Sequence, residues 1–283
     1  MAKQTAVAVK DSPDALAELG MSAEELLADS GKGKEHVETK DLAIPFISIL
    51  QANSPQVNPR DGKYVQGAQQ GMIFNSVTKK LYPGEKGILV VPCEYQRRYA
   101  EWKLREEGGG LIADYGMDDT VFKTAVRREV GEKKLDMLPN GHQIVESGTH
   151  YVLLLDEETF TPEQAVIGMA STQRTKSNRW NTLVSLYQAP HPIDKGKTFN
   201  PARFYCAYRL KVVPESRNNQ NFWGWDIVHE KPTLELPNGR DLYIAARAFN
   251  AAVNQGLVKL QEPQTDAEAA EVGGTKLDDD IPY

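Results

Sequence analysis

The sequence predicts a mainly β fold with a few helices: a small barrel elaborated by insertions and followed by an acidic tail. Three observations carry that expectation. Six segments rich in Val, Ile and aromatic residues alternate with turn-forming residues. Only two stretches of the body carry apolar residues at helical spacing. The stretch Gln261–Lys276 is rich in Glu, Ala, Gly and Thr and has no aromatic residue, so it reads as a flexible linker.

The elements follow in order. Residues 1–40 read as a largely flexible segment with one short helix. Ser12 is its cap, Pro13 suits its first turn, and Leu16, Leu19, Leu26 and Leu27 form its apolar stripe. Residues 41–260 form the body. Its expected strands are Gly71–Val77, Gly87–Lys103, His150–Leu155, Gln164–Ala170, Arg203–Val213 and Phe222–His229. Pro83-Gly84, Gly108–Gly110 and Pro139-Asn140-Gly141 mark turns. Ser177–Gln188 forms a helix with Trp180, Leu183, Val184 and Tyr187 on one face. Arg240–Asn254 forms another through Leu242, Ala245, Phe249 and Val253, and Gly256 stops it. Many short strands with few helices fit an OB-like barrel, the five-stranded Greek-key type. Residues 261–283 are the tail.

Charge is unevenly placed. Over the 283 residues the net is −6. Residues 262–283 carry seven acids against Lys276, and residues 1–44 carry nine acids against five bases. The stretch between them has 27 bases and 23 acids. A mildly basic body between acidic ends suits contact with a polyanion.

The bases concentrate where aromatic residues do. Between Ala170 and Val212 lie eight bases, Arg174, Lys176, Arg179, Lys195, Lys197, Arg203, Arg209 and Lys211, against Asp194 alone. Trp180, Tyr187, Phe199, Phe204, Tyr205 and Tyr208 interleave with them. Lys and Arg neutralise phosphates, and flat rings stack on unpaired bases of any identity. With period two, Arg203, Tyr205, Ala207, Arg209 and Lys211 share one strand face, the expected nucleic-acid side. Phe204, Cys206, Tyr208, Leu210 and Val212 share the other, the expected core side. Tyr95, Arg97 and Tyr99 offer a second, smaller platform on another strand. Trp180, Trp223 and Trp225 sit among apolar neighbours and read as core.

The chain ends Asp278-Asp279-Asp280-Ile281-Pro282-Tyr283. The acids ask for Arg or Lys, and the last three residues ask for an apolar slot, so one partner pocket can hold both. This end resembles the acidic tip of bacterial single-stranded DNA-binding proteins, in which three acids precede Ile-Pro-Phe; here Tyr283 stands for the Phe. The chain's length and insertions resemble phage-encoded members of that functional class. The resemblance implies a protein that coats single-stranded DNA during replication, recombination or repair, and recruits partner proteins through Asp278–Tyr283. A strand-annealing recombination protein is the alternative.

Other classes find little support. Asp118 or Asp119 with Glu132 and Lys134 mimics a metal-dependent nuclease set, yet Arg127–Lys134 is too polar for the apolar strand such a set requires. Gly196-Lys197-Thr198 lacks the earlier Gly of a phosphate loop, and the five histidines show no metal spacing. The expectation is a non-enzyme with no cofactor and no metal. Met1–Lys10 has no secretion signal and no apolar run spans a membrane, which places the protein in the (host) cytoplasm. Cys93 and Cys206 are expected to be buried free thiols.

Overall fold

A computed structural model describes residues 22–36, 43–131, 133–217 and 220–258. The chain divides into two units, Met1–Leu42 and Ala43–Tyr283. In the first, helix α1 (Ala23–Ala28) carries Leu26 and Leu27. It is closed by a reciprocal cap: Ser22 Oγ accepts from the Glu25 N–H at 3.1 Å, and the Glu25 carboxylate accepts from the Ser22 N–H at 2.8 Å. The expected cap Ser12, with Leu16 and Leu19, lies outside the described residues.

The second unit opens with three short strands, β1 (Ile47–Ile49), β2 (Ile73–Asn75) and β3 (Leu81–Tyr82), which form a small antiparallel sheet. A long strand β4 (Ile88–Trp102) follows, then β5 (Leu111–Tyr115), β6 (Val126–Val130), β7 (Lys133–Met137), the long return strand β8 (Gln143–Leu155) and β9 (Pro162–Ala170). Helix α2 (Arg174–Leu186) leads through the hairpin β10 (Ala189–Pro190) and β11 (Thr198–Phe199) to β12 (Cys206–Arg217) and β13 (Gln220–Pro232). Helix α3 (Gly239–Asn254) comes last among the described elements. The main sheet is antiparallel, in the order β13-β12-β4-β8, with β9 on the outer edge of β8. The far halves of β4 and β8 extend beyond it as an arm, flanked by β5 on β4 and by the β6–β7 hairpin on β8.

Both faces of the main sheet are buried. One face holds Ile88, Val90, Val152, Leu154, Ile167, Tyr208, Leu210 and Trp225, with Trp180 of α2 packed on it. The opposite face holds Leu89, Val91, Cys93, Leu153 and Leu155, covered by Leu242, Ala246, Phe249 and Val253 of α3. Those four helix positions fall three or four apart, which makes one continuous stripe. Asn250 and Asn254 fasten α3 to Glu94, at 2.6 and 2.8 Å. Gly256, at φ +69, ends the chain's helical path as expected. The two cysteines are free and buried, and among the described residues no helix is long and apolar enough to cross a membrane.

The barrel expected from the sequence is not closed, and the mainly β character holds without an OB-like form. The small sheet lies over the first core, but meets β9 through one parallel bridge, Phe46 to Val166, with Val166 N–H donating to Pro45 at 2.9 Å. On the β13 side the Gln51 amide makes two bonds to the Trp223 backbone, 2.8 and 2.9 Å. A side chain and a single bridge replace the ladders a closed barrel needs, so the sheet stays open. Three other expectations are corrected. Arg203–Tyr205 is a 3₁₀ turn and β12 starts at Cys206. Helix α2 starts three residues earlier than expected, at Arg174. Strands β5, β6 and β7, which were not among the expected strands, form the flanks of an arm.

Candidate nucleic-acid interface

Helix α2 lies across the first face of the sheet, and a glycine makes this possible. A Cβ at Gly148 of β8 would stand 2.3 Å from Ser177 Oγ and 2.7 Å from an Arg174 guanidinium nitrogen. Beneath the helix is a polar knot with no solvent exposure at His150 or Ser177. Arg203 donates to His150 Nδ1 at 3.0 Å and to Asn181 at 2.9 Å. A guanidinium only donates, so Nδ1 accepts; the imidazole proton sits on Nε2 and points at Ser177 Oγ, 2.8 Å away. That polarity is the reverse of an activated serine, where the imidazole accepts from the hydroxyl. Burial, then the charges of Arg203 and Arg174, hold the His150 pKa well below its ordinary range. The imidazole also stacks on Trp180, with centroids 4.5 Å apart.

At the start of α2, Arg174 reaches Tyr95 Oη at 3.1 Å and Glu146 at 2.6 Å, and Arg97 meets Glu146 at 3.3 Å. One carboxylate thus serves two guanidiniums, leaving net positive charge. Burial raises the Tyr95 phenol, but Arg174 and Arg97 beside it more than offset this and its pKa falls below the usual value. Further along β4, Tyr99 stacks on Phe122 with centroids 3.7 Å apart and planes 4° from parallel.

At the other end of α2 is an aromatic cluster. Tyr187 stacks on His229 at 5.4 Å and tilts against Tyr205 at 5.9 Å. Phe199 meets Tyr205 edge-on at 6.1 Å, and His191 meets Phe199 at 6.0 Å. Tyr187, Phe199 and Tyr205 are half-buried and His229 is exposed. Burial, then a hydrogen bond to Cys206, pushes the Tyr187 phenol up to about 12, so it stays neutral. The loop beside Phe199 carries exposed Lys195 and Lys197, with Asp194 bound to Lys197 at 3.2 Å. On the outer side of α2, Arg179 is exposed, as are Leu183 and Leu186 toward the cluster.

The expected platform on one strand is overturned by this geometry. Tyr205 packs with the first core, whereas Ala207 is buried in the second beneath α3, and Arg209 and Lys211 alternate onto that same side. Arg209 is held by Glu157 at 2.6 Å and Glu230 at 3.4 Å, and Lys176 by Glu215 at 2.6 Å. Arg203 turns inward to His150. Phe204 is buried as expected, but in the second core against Tyr243 rather than with Tyr208. What the fold does bring together is Tyr205 with Tyr187, Phe199 and His229, and Tyr95 with Arg97 and Arg174. Glu146, His229 and Phe122 were not singled out in the sequence, because only tertiary pairing sets them beside the aromatic and basic groups. The tip, Asp278–Tyr283, lies outside the described residues, as does Glu132 of the nuclease-like set.

Fold and site define the chain as an open antiparallel β protein that carries aromatic clusters beside cations on one face of its sheet. Residues 18–259 match the model of the Pam3 phage gp34-like protein family, and the chain belongs to that family. No curated protein and no solved structure matches it.

Proposed function

We propose that this phage-family protein binds single-stranded DNA and carries its partner-binding handle at Asp278–Tyr283. The observation that supports the reading is the half-exposed cluster Tyr187, Phe199, Tyr205 and His229 next to Lys195 and Lys197. Rings left partly open to solvent offer faces for unpaired bases, and lysines beside them meet the phosphates. A duplex, whose bases are already stacked, has nothing to offer the rings. The acidic tip adds a second argument: seven acids in residues 262–283 compete with phosphates for the same cations and are released when a strand binds. The test is a titration of labelled oligothymidylate and of duplex across a salt series. Single strands bind more tightly, and log affinity falls with log salt by about 0.7 for each phosphate neutralised. Equal affinity for the duplex, or no salt response, rejects the proposal.

A further inference from the structure

Tyr99 and Phe122 belong to neither core, yet they are held parallel at 3.7 Å, both half-exposed, at the arm end of β4. Phe122 sits on a 3₁₀ turn, Val121–Thr124, and exposed Lys123 lies 5.9 Å from its ring centre. Position along β4 decides what this pair can serve. Up to Val91 the strand alternates normally, Ile88 and Val90 to the first face, Leu89 and Val91 to the second. The pairing register with β8 then shifts between Pro92 and Glu94, a bulge that sends both Cys93 and Glu94 to the α3 side. Tyr95, Arg97 and Tyr99 thereby fall on the first face, the face of α2 and the aromatic cluster.

The structure assigns to this pair, we infer, the role of a second stacking station for the same single strand. The inference rests on the proposed single-strand binding. The path between stations is legible from the elements. Helix α2 spans 13 residues, about 20 Å at 1.5 Å per residue. Its Tyr187 end touches the cluster and its Arg174 end touches Tyr95. From Tyr95 to Tyr99 the strand advances about 13 Å. A backbone laid along this course meets Arg179 on the outer face of α2, then Arg174 and Arg97, whose one shared acid leaves a positive charge to spare. Two acids of the arm are neutralised or buried, Asp114 by Arg98 at 2.7 Å and Glu101 among Tyr115, Asn140 and His142. Asp118 and Asp119 stay exposed just before the turn and leave Lys123 as the cation beside the ring. The whole course, about 33 Å, corresponds to about ten nucleotides at the duplex rise of about 3.4 Å per strand, within the range of sites on single-strand-binding folds.

A length series tests it. Affinity for oligothymidylates from about 4 to about 16 nucleotides is measured for the full chain, for Tyr205→Ala, for Phe122→Ala and for Lys123→Glu. The expected result is that Phe122→Ala and Lys123→Glu leave the shortest oligomers unchanged and weaken the longest, by about 5- to 150-fold for the ring. Tyr205→Ala should weaken every length. Lys123 is exposed and its replacement does not threaten the fold, so it decides the matter if Phe122→Ala melts early. Loss in Tyr205→Ala with no length-dependent loss in either arm variant overturns the second station and leaves single-strand binding standing. Absence of binding at every length by the unaltered chain overturns both.

Discussion

His150 shows what burial does to a single side chain. The imidazole is neutral in the fold, because desolvation and the neighbouring guanidiniums of Arg203 and Arg174 oppose its protonation. The unfolded chain has no such restraint and takes up a proton below its ordinary pKa of about 6.5. The folded-state pKa is the lower one, so stability is full above the unfolded value of about 6.5 and is lost as pH falls from there toward the folded value, by up to about 1.4 kcal/mol per pH unit. Thermal unfolding followed between about pH 7.5 and about pH 5.5 should therefore show a falling midpoint, with a shallower fall in His150→Gln. Equal slopes in the two proteins remove His150 from the account. Tyr205 and Phe204 are neighbours in sequence with opposite assignments. Phe204→Ala empties a buried site between α3 and the sheet and should cost about 3–5 kcal/mol of stability. Tyr205→Ala, at a half-buried site, should cost less stability than Phe204→Ala and lower single-strand affinity by about 1–3 kcal/mol. Denaturant melts and binding titrations on both variants separate the two roles, and a swapped pattern refutes them.

At the scale of elements, the positions of β4, β9, β12, β13, α2 and α3 were legible, since each carries a run of apolar and aromatic residues bounded by turn signals. Boundaries were less so. The turn at Arg203–Tyr205 has strand-like composition, and its 3₁₀ form lets the successive residues Tyr205 and Cys206 both face the first core, which strand alternation forbids. Strands β5–β7 escaped notice because they are polar; the ladders of β5 with β4 and of β6 with β7 supply what their side chains do not. Helix α2 depends on Gly148 to lie close to β8. Gly148→Ala should push its first turn off the sheet, weaken the Ser177–His150 bond and cost about 1–3 kcal/mol. A melting midpoint equal to that of the unaltered chain would mean the helix accommodates the methyl group.

For the whole molecule, the open sheet leaves the two aromatic groups, that around Tyr205 and the Tyr99–Phe122 pair, on one face while α3 closes the other. The tail acts at this scale as well. The body between residues 45 and 261 has four more bases than acids, and residues 262–283 have six more acids than bases. On the proposed reading, a tethered polyanion at high effective concentration competes for cationic ground until a strand displaces it. Removing Asp278–Tyr283 should leave single-strand binding intact or tighter at low salt, with the gain shrinking as salt rises, and should abolish partner recruitment. A truncated protein that binds DNA more weakly would place the tail in the binding surface instead.

The amino-acid sequence by itself determined the β character, the two long helices, the buried cysteines with Trp180 and Trp225, and the concentration of cations among aromatic residues. Local alternation and turn chemistry encode those features within a few residues of each position. Only the tertiary structure decided which faces those residues share. The bulge after Pro92 moves Tyr95, Arg97 and Tyr99 to the α2 side, while the turn before Cys206 parts Tyr205 from Arg209 and Lys211. A single extra residue in a strand inverts every side chain beyond it, and its cost is weighed against contacts far along the chain, which no local pattern records. Barrel closure was settled in the same way, by edges that meet through one bridge and one glutamine.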